Sequence, residues 1–408
     1  MSEHIVIIGG GAAGFYAAIA CAEANPELKV TILEKGKEVL GKVLISGGGR
    51  CNVTHACFDP RELATHYPRG ERELLGPFHK FQPGDTMEWF ADRGVELKIE
   101  SDNRVFPVTD SSHTIADCLL DMAAAANIDV RKSCGVKSFQ QLEDGTWSIS
   151  TTRGEELTAD KLMVAPGSSK AMLDQLKKLG HRIVPTVPSL FTFNIKDPRI
   201  KGLSGISLPN ATIQVAASDL EASGPLLITH WGMSGPAILR LSAWGARELN
   251  DRFYRFPILV NWIGKELDDV LADFQQEKKL SGKKRIGNHS HYGVPLRLWK
   301  SMVEGAGIKP TATWGDLSGK QVKALAAELS ASVFQVTGKS TFKEEFVTAG
   351  GVDLKDVDFK NFASRIVPNL YFAGEILDID GITGGFNFQA AWTGGWLAGN
   401  AMAGYPID

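Results

Sequence analysis

The 408-residue sequence has little cysteine and no surplus of positive charge. Its five cysteines are odd in number and form no CxxC pair, which argues against a disulfide scaffold in so long a chain. They are Cys21, Cys51, Cys57, Cys118 and Cys134. This usage fits a reducing compartment, so we predict a cytoplasmic protein. The formal net charge of −3 leaves no electrostatic footprint for nucleic acid or an anionic membrane surface, and we expect neither partner.

One apolar stretch, residues 5–22, is uncharged and about long enough to cross a bilayer. The preceding MSEH lacks the positive charge of a signal peptide, and three adjacent glycines interrupt the apolar run. We therefore favour neither export nor membrane insertion. Glycine is the one residue in excess, with 43 copies, or about 10.5% of the chain, against a usual ~7%. Its clustering predicts that the backbone closely approaches a ligand at several places.

The chain opens with a strand–turn–helix pattern. A β-branched run over residues 4–8 predicts a buried parallel strand, and small helix-forming residues over 12–24 predict a helix. Between them, Gly9, Gly11 and Gly14 satisfy GxGxxG. In such a motif the first glycine permits a tight turn, the second lacks a Cβ that would block a pyrophosphate, and the third allows close helix–strand packing.

An acidic residue completes this pattern. A second strand, predicted over 30–33, ends in Glu34, twenty residues after the last motif glycine, with Lys35 beside it. Glu34 can accept hydrogen bonds from a ribose diol and repels a 2′-phosphate, which favours FAD or NAD over NADP. The helix N-terminus at Ala12 and Ala13 would direct its unpaired N–H groups at the phosphates. A purely structural glycine turn is the alternative, but the combined pattern favours a dinucleotide site.

A second glycine-rich segment, GKVLISGGGRCN over residues 41–52, distinguishes FAD from NAD. A plain NAD domain does not need it, whereas a longer cofactor with a ribityl chain and ring does. Lys42 and Arg50 could neutralise phosphate charge, and Ser46 and Asn52 could bind phosphate or ribityl hydroxyls. The other predicted contacts in this segment are Gly47, Gly48, Gly49 and Cys51. A flexible loop with surface cations is the alternative.

The C-terminal region repeats the strand–glycine pattern. Residues 369–375 predict a strand ending in Gly374 and Glu375, and a helix led by glycine runs from Gly385 to about residue 403. That helix N-terminus is expected to face the flavin pyrimidine or ribityl chain. The remaining predicted cofactor contacts are Val136, Ala165, Gly167, Asp380, Phe386 and Asn387.

The order of these segments resembles the two-dinucleotide-binding-domain flavoproteins. More narrowly, the chain resembles a bacterial family usually labelled NAD(P)/FAD-dependent oxidoreductase, which includes aminoacetone oxidase and bile-acid dehydro-intermediate reductases. The likeness rests on ISGGGRCNVTH (45–55), THWGMSGPA (229–237), TAGGVDL (348–354) and LYFAGEILDIDGITGGFNFQAAWTGG (370–395). It implies non-covalent FAD, held by the first and last segments around an inserted domain. Ala165-Pro166-Gly167 departs from the Ala-Thr-Gly usual in relatives, which removes a hydroxyl and an N–H.

We predict an α/β fold with a Rossmann-like, glutathione-reductase-like FAD-binding domain built from both chain ends. An inserted β-barrel-like domain and a helical subdomain interrupt it. The FAD-binding parts are 1–188 and 343–408, the barrel-like domain is 189–263 with 330–342, and the helical subdomain is 264–329. Alternating apolar runs in the insertion indicate an antiparallel sheet or small barrel. Connecting helices are predicted over 81–95 and 114–126.

His230 is the candidate catalytic residue, as a proton donor or substrate contact. The alternative is a turn histidine whose ring is hydrogen-bonded to the backbone.

Cys51 and Cys57 are separated by five residues, whereas flavin disulfide reductases place four between their redox cysteines, so free thiols are favoured. His289 and His291 lack further ligands in the pattern, and we predict no metal site.

The sequence therefore predicts an FAD-dependent oxidoreductase that acts by hydride transfer on an unidentified small organic substrate. No second GxGxxG follows a strand after Glu34, so NAD(P)H would act as a transient reductant without a Rossmann domain of its own. Two alternatives stay open: an oxygen-using flavin oxidase of the amine type, and a flavin-binding protein in RNA modification or regulation. No feature names the substrate or the oligomeric state.

Overall fold

The computed structural model describes residues 2–340 and 347–406, in two compact units: Met1–Pro188 with Lys343–Asp408, and Ser189–Phe342. The strands are β1 His4–Ile8, β2 Lys29–Leu33, β3 Thr54–His55, β4 Leu97–Ile99, β5 Arg104–Pro107, β6 Asp129–Arg131, β7 Val136–Gln141, β8 Trp147–Thr151, β9 Glu156–Ala159, β10 Lys161–Val164, β11 Ile183–Ser189, β12 Thr192–Ile195, β13 Ser207–Val215, β14 Glu221–Ile228, β15 Gly232–Ser234, β16 Phe256–Asn261, β17 Ser332–Ser340, β18 Val347–Val352, β19 Val357–Asp358, β20 Ala363–Ser364 and β21 Leu370–Phe372. The α-helices are α1 Ala12–Ala24, α2 Gly41–Gly49, α3 Pro60–Ala64, α4 Glu71–Phe78, α5 Pro83–Ala91, α6 Ser112–Ala125, α7 Lys170–Lys178, α8 Pro236–Trp244, α9 Ala246–Asp251, α10 Leu267–Leu280, α11 Leu296–Gly305, α12 Gly319–Ser330 and α13 Phe386–Met402. Within the described residues, none of the helices combines the length and apolar character needed to cross a membrane.

A seven-stranded sheet organises the first unit, in the order β19-β20-β21-β10-β1-β2-β6. From β21 to β6 the neighbouring strands are parallel, while the short β19 and β20 pair antiparallel at one edge. The uninterrupted β-branched sequence of β1 suits its central place, because both faces of that strand are covered. The carboxyl ends of parallel strands meet at one edge of a sheet, so Gly9, Glu34, Ala165 and Gly374 follow strands that end at the same edge.

Small residues let the first and last helices of this unit pack backbone against backbone. A Cβ on Gly395 would lie 2.8 Å from the carbonyl oxygen of Ala13, and one on Gly399 would lie 2.4 Å from that of Ala17. Any larger residue at these two positions of α13 would force α1 away. The two ends of the chain therefore form one layer, which positions both helix N-termini.

The second unit contains a closed six-stranded barrel, in the order β12-β15-β14-β13-β16-β17, with antiparallel neighbours. This confirms the barrel that the alternating apolar runs indicated. The inward side chains of the barrel and the apolar faces of α10, α11 and α12 form one buried cluster, which includes Phe193, Ile213, Phe274, Trp299 and Leu325. Helices and barrel thus share a core.

Several boundaries differ from those predicted. No helix was predicted over residues 41–49, but they begin as helix α2, and the helical conformation stops at Ser46, whose ψ is 152°. Helix α5 starts later than the predicted residue 81, because Gln82 and Asp85 form a capping box at its start, and it ends at Ala91 instead of residue 95. Strand β13 is longer than the apolar run over 212–215 that indicated it, since a register shift between Leu208 and Ala211 accommodates an irregular segment inside it.

Candidate cofactor-binding site

Two of the three motif glycines are required by the protein's own packing. Gly9 has a φ of +110°, its N–H donates to the Leu33 carbonyl at 2.9 Å, and a Cβ there would lie 2.4 Å from the Ala165 carbonyl oxygen. A Cβ on Gly14 would lie 2.0 Å from the Gly9 carbonyl oxygen. These glycines close the turn and bring α1 against the sheet.

Gly11 is different, because its surroundings are open. Its φ of −94° and ψ of −170° suit any residue, and a Cβ there would meet no atom of the described chain within 4 Å. Helix α1 starts at the next residue, without a side-chain cap at Gly11 and without an acid in its first turn. The N–H groups of Ala12 and Ala13 have no acceptors inside the helix. The positive helix end and this space together fit the pyrophosphate of a dinucleotide.

The Glu34 carboxylate is fixed beside the first turn. One of its oxygens accepts the Gly10 N–H at 2.8 Å, and the other accepts the Gly36 N–H at 2.6 Å. A carboxylate has about four lone-pair positions, so capacity for a ribose diol is left. The next residue, Lys35, packs against the chain just before Val136, since a Cβ on Gly135 would lie 3.0 Å from the Lys35 Cβ.

The turn after β10 lies between the first turn and the C-terminal strand. The Ala165 N–H donates to the Ile8 carbonyl at 2.8 Å. Gly167 has a φ of +70°, and a Cβ there would lie 3.5 Å from a Glu375 carboxylate oxygen. Pro166 stands where relatives usually have threonine, and the next residue, Gly167, has left-handed backbone in this turn.

Glu375 connects three predicted segments of the site. One carboxylate oxygen forms an ion pair with Lys42, and the other accepts the Thr348 N–H at 2.8 Å. Gly374, with a φ of +74°, brings the strand end close to Ala13, because a Cβ there would lie 3.1 Å from the Ala13 Cβ. The start of α1, the start of α2 and the end of β21 are therefore in contact.

The glycine run that ends α2 has left-handed backbone, with φ values of 58°, 69° and 84° at Gly47, Gly48 and Gly49. A Cβ on either of the last two would meet no described atom within 4 Å. The following cation is already engaged: the Arg50 guanidinium lies 3.9 Å from the Phe106 ring centroid, its Nε donates to Asp110 at 2.9 Å, and it pairs with Glu100. Glu100 and Asp110 therefore neutralise the charge of Arg50, the residue that we predicted to neutralise phosphate. The Ser46 carbonyl accepts the Cys51 N–H at 3.0 Å.

Asn52 joins the N-terminal half to the start of α13. With its amide oriented so that both groups are satisfied, it accepts the Gly385 N–H and donates to the Thr54 carbonyl, each at 3.0 Å. Gly385 has a φ of +96°, and a Cβ there would lie 2.5 Å from the Thr54 carbonyl oxygen. The Asn387 amide closes the turn by a reciprocal pair of 2.9 Å bonds with the Gly381 backbone.

Asp380 is completely buried and forms a two-point ion pair with Arg69, whose Nε lies 2.5 Å from one carboxylate oxygen. The neighbouring segment 348–352 was not among the predicted contacts, although TAGGVDL (348–354) is one of the motifs that carry the family resemblance. There the Gly350 N–H donates to Asp378 at 2.7 Å. The adjacent glycines, Gly350 and Gly351, are the signal that could have identified this close approach, since both have positive φ.

Two histidines that were not predicted pack on Phe386, the first residue of α13. The ring centroids of His55 and His66 lie 4.5 and 4.4 Å from that of Phe386. The Nδ1 of His55 donates to the Gly384 carbonyl at 3.1 Å. Burial is the largest effect on His55 and lowers its pKa below 6.5, which favours the neutral ring at neutral pH.

The cysteines are free thiols. Burial raises the pKa of Cys51 to about 12, and burial together with nearby acids raises that of Cys57 to about 11. Both are therefore protonated near neutral pH, which is the inert state of a thiol.

His230 lies in the second unit, whereas the predicted cofactor residues lie in the first. It is exposed in the turn between β14 and β15, where the Thr229 N–H donates to the Gly232 carbonyl at 2.8 Å. Its role as a proton donor stays a prediction.

Comparison with known proteins supplies the family context. Residues 3–401 match the family described as HI0933-like protein Rossmann domain. The chain is 27% identical to a 3-dehydro-bile acid delta(4,6)-reductase of Clostridium scindens, over 99% of this chain and all of that protein. It is also 27% identical to a ribosomal RNA dihydrouridine synthase of Escherichia coli, over 96% of each. A solved 3-ketosteroid-delta4-(5alpha)-dehydrogenase of Rhodococcus jostii RHA1 has the same fold, with a TM-score of 0.52 and 13% identity over 98% of this chain and 97% of that one.

Proposed function

The chain belongs to the HI0933-like family and is an FAD-dependent oxidoreductase, and from this premise we propose that it reduces a carbon–carbon double bond conjugated to a carbonyl group in a small organic molecule. The observation that carries the cofactor assignment is the open space at Gly11, in front of the uncapped N-terminus of α1. Every other motif glycine of that turn is crowded by backbone, whereas this one leaves room for phosphate.

The names of two relatives that match nearly the whole chain support the bond type. The names delta(4,6)-reductase of a 3-dehydro bile acid and dihydrouridine synthase both describe saturation of a carbon–carbon double bond in a ring that bears a carbonyl group. An activated alkene of this kind accepts hydride at one carbon and a proton at the other. The first relative's small substrate and the net charge of −3 of this chain favour a small molecule over RNA.

A second candidate is reduction of uridine in RNA, favoured by the names of the relatives from Escherichia coli and Haemophilus influenzae. RNA binding of this type would be salt-sensitive, because phosphate contacts release counterions.

In this proposal, different segments of the first unit bind different parts of FAD. The start of α1 would receive the pyrophosphate, Glu34 the adenosine ribose, and the segments at Gly48 and Gly385 the remaining length of the cofactor. FAD, when bound, supplies hydride transfer. The Lys42–Glu375 ion pair holds two of these segments together. We retain His230 as the candidate proton donor.

Absorbance of the purified protein tests this proposal. Flavin bands should be present and should bleach anaerobically on addition of NADH or NADPH, the transient reductant that we propose. They should then return when a steroid enone such as 4-androstene-3,17-dione is added, with a saturated product. Bands that return only with oxygen would favour the amine-oxidase alternative, and return only with uridine-containing RNA would favour the second candidate. A protein without flavin bands after reconstitution with FAD would refute the cofactor assignment.

A further inference from the structure

We propose that Cys57, Glu62 and His66 form a binding site for one thiophilic divalent cation of the zinc type. The Cys57 Sγ, a Glu62 carboxylate oxygen and a His66 ring nitrogen all lie within 4.8 Å of one another. In the sequence, only His289 and His291 suggested a metal, and no metal site was predicted. The new site is separate from that pair and independent of the reaction proposed above.

The local backbone places these three donors together. Cys57 follows β3, and its N–H donates to the His55 carbonyl at 2.8 Å. Helix α3 then begins after Asp59, whose carboxylate caps it by accepting the N–H groups of Arg61 and Glu62. The chain continues to turn beyond α3, since the His66 N–H donates to the Leu63 carbonyl at 3.2 Å. Glu62 and His66, four residues apart, therefore lie on one side of this turn and face the preceding loop.

The donor chemistry selects the cation. Thiolate, imidazole and carboxylate are the three ligand types that zinc accepts, and a soft thiolate disfavours magnesium and calcium. Zinc binding displaces the proton that the free Cys57 thiol carries, and the resulting thiolate and the Glu62 carboxylate together carry two negative charges, which a divalent cation neutralises. Zinc lies about 2.0–2.3 Å from its ligands, so donors that share it are within roughly 4 Å of each other. The Glu62 side chain is exposed, so its rotation can bring the carboxylate from within 4.8 Å of the other donors to the roughly 4 Å that a shared zinc ion requires.

Neighbouring aromatic residues limit the movement of the His66 ring. The His66 ring packs on Phe386, and the neighbouring Tyr67 hydroxyl donates to the Phe386 carbonyl at 2.6 Å. Tyr67 is buried, which anchors the end of this turn to the start of α13. A cation held by the three side chains would therefore fasten the loop after β3 to the start of the last helix. Three protein ligands leave one coordination position for water.

Metal titration of the full-length flavoprotein, stripped with a chelator, tests the site. We expect one Zn²⁺ per chain by calorimetry. Added Co²⁺ should give tetrahedral ligand-field bands at wavelengths longer than the flavin absorbs. Cys57→Ser and His66→Gln should each weaken Zn²⁺ binding by more than about 100-fold, the upper range for loss of outer-shell partners. Matched controls are Cys118→Ser, another buried cysteine, and His79→Gln, an exposed histidine of the same region.

Two results would overturn the proposal: no Zn²⁺ binding by folded wild-type protein, or equal affinity in wild type, Cys57→Ser and His66→Gln. If Cys57→Ser does not fold, Glu62→Gln replaces it, because this side chain is exposed and its change adds no volume. If Glu62→Gln and His66→Gln both bind Zn²⁺ as tightly as wild type does, the site is likewise rejected.

Discussion

The two glycine turns that precede α1 and α13 have similar sequences but different surroundings. Neither helix has a side-chain cap at its N-terminus, and the two helices pack against each other. Around Gly11 the space is open, whereas Gly385 lies against the Thr54 backbone and its N–H is bound by Asn52. The glycine of the first turn therefore leaves open space, whereas the glycine of the second turn holds β3. A glycine-led helix start does not by itself say which of these roles it has.

The largest effect should come from breaking the anchor of the C-terminal turn. Arg69→Ala leaves the carboxylate of Asp380 completely buried without its two-point partner. We expect a loss of about 3–5 kcal/mol in the free energy of unfolding, measured with urea. The control is Lys132→Ala, which removes an exposed ion pair with Glu38 and should cost at most about 1 kcal/mol. Similar losses in the two variants would show that the turn does not depend on this pair.

A methyl group at Gly385 should be the next most damaging change. In Gly385→Ala the Cβ would meet the Thr54 carbonyl at 2.5 Å, and the φ of +96° strains an L residue. We expect roughly 2–4 kcal/mol of destabilisation from overpacking and strain. Gly319→Ala is the control, because that exposed glycine is the first residue of α12 and has open surroundings, so alanine there should not lower the stability. An unchanged melting temperature in Gly385→Ala would contradict the close contact.

The same methyl group at Gly11 should separate binding from folding. Gly11→Ala meets no described atom and needs no strained φ, so apoprotein stability should not fall. The methyl occupies the space assigned to pyrophosphate, and FAD affinity should decrease at least tenfold, or about 1.4 kcal/mol. Equilibrium dialysis of the apoprotein with FAD measures this, with Gly319→Ala again as the control. Unchanged affinity would mean that the phosphates do not approach Gly11.

Local signals predicted the centre of the fold well. The bounds of β1 and α1 agree with the predicted segments, because β-branched runs and small helix formers are continuous there. The barrel was indicated by the alternating apolar runs of the insertion. Helix α8 was not predicted, since it starts at Pro236 within a stretch that looks like a glycine-rich turn.

The contacts that assemble the candidate site could not be predicted in the same way. The pairs Lys42–Glu375 and Asp380–Arg69 join residues more than 300 positions apart, and no local pattern encodes such a pairing. For the same reason, the residue type of Arg50 indicated a phosphate contact, whereas its position places it between Glu100 and Asp110. Residue types proposed the chemistry, but the partners depend on the tertiary fold.

The smallest effect concerns protonation of His55 at the C-terminal turn. Burial lowers the pKa of His55 below 6.5, while its Nδ1 hydrogen bond to Gly384 acts in the opposite direction. As the pH falls below 6.5, the unfolded chain takes up a proton that the folded chain resists, so this residue makes the protein less stable at acidic pH. One such group changes the unfolding free energy by at most about 1.4 kcal/mol per pH unit. An NMR titration, with the signal assigned by its absence in His55→Gln, should give a midpoint below 6.5. A midpoint at or above 6.5 would show that the ring at this turn is solvated, and the contrast with the open turn at Gly11 would then be smaller than the packing indicates.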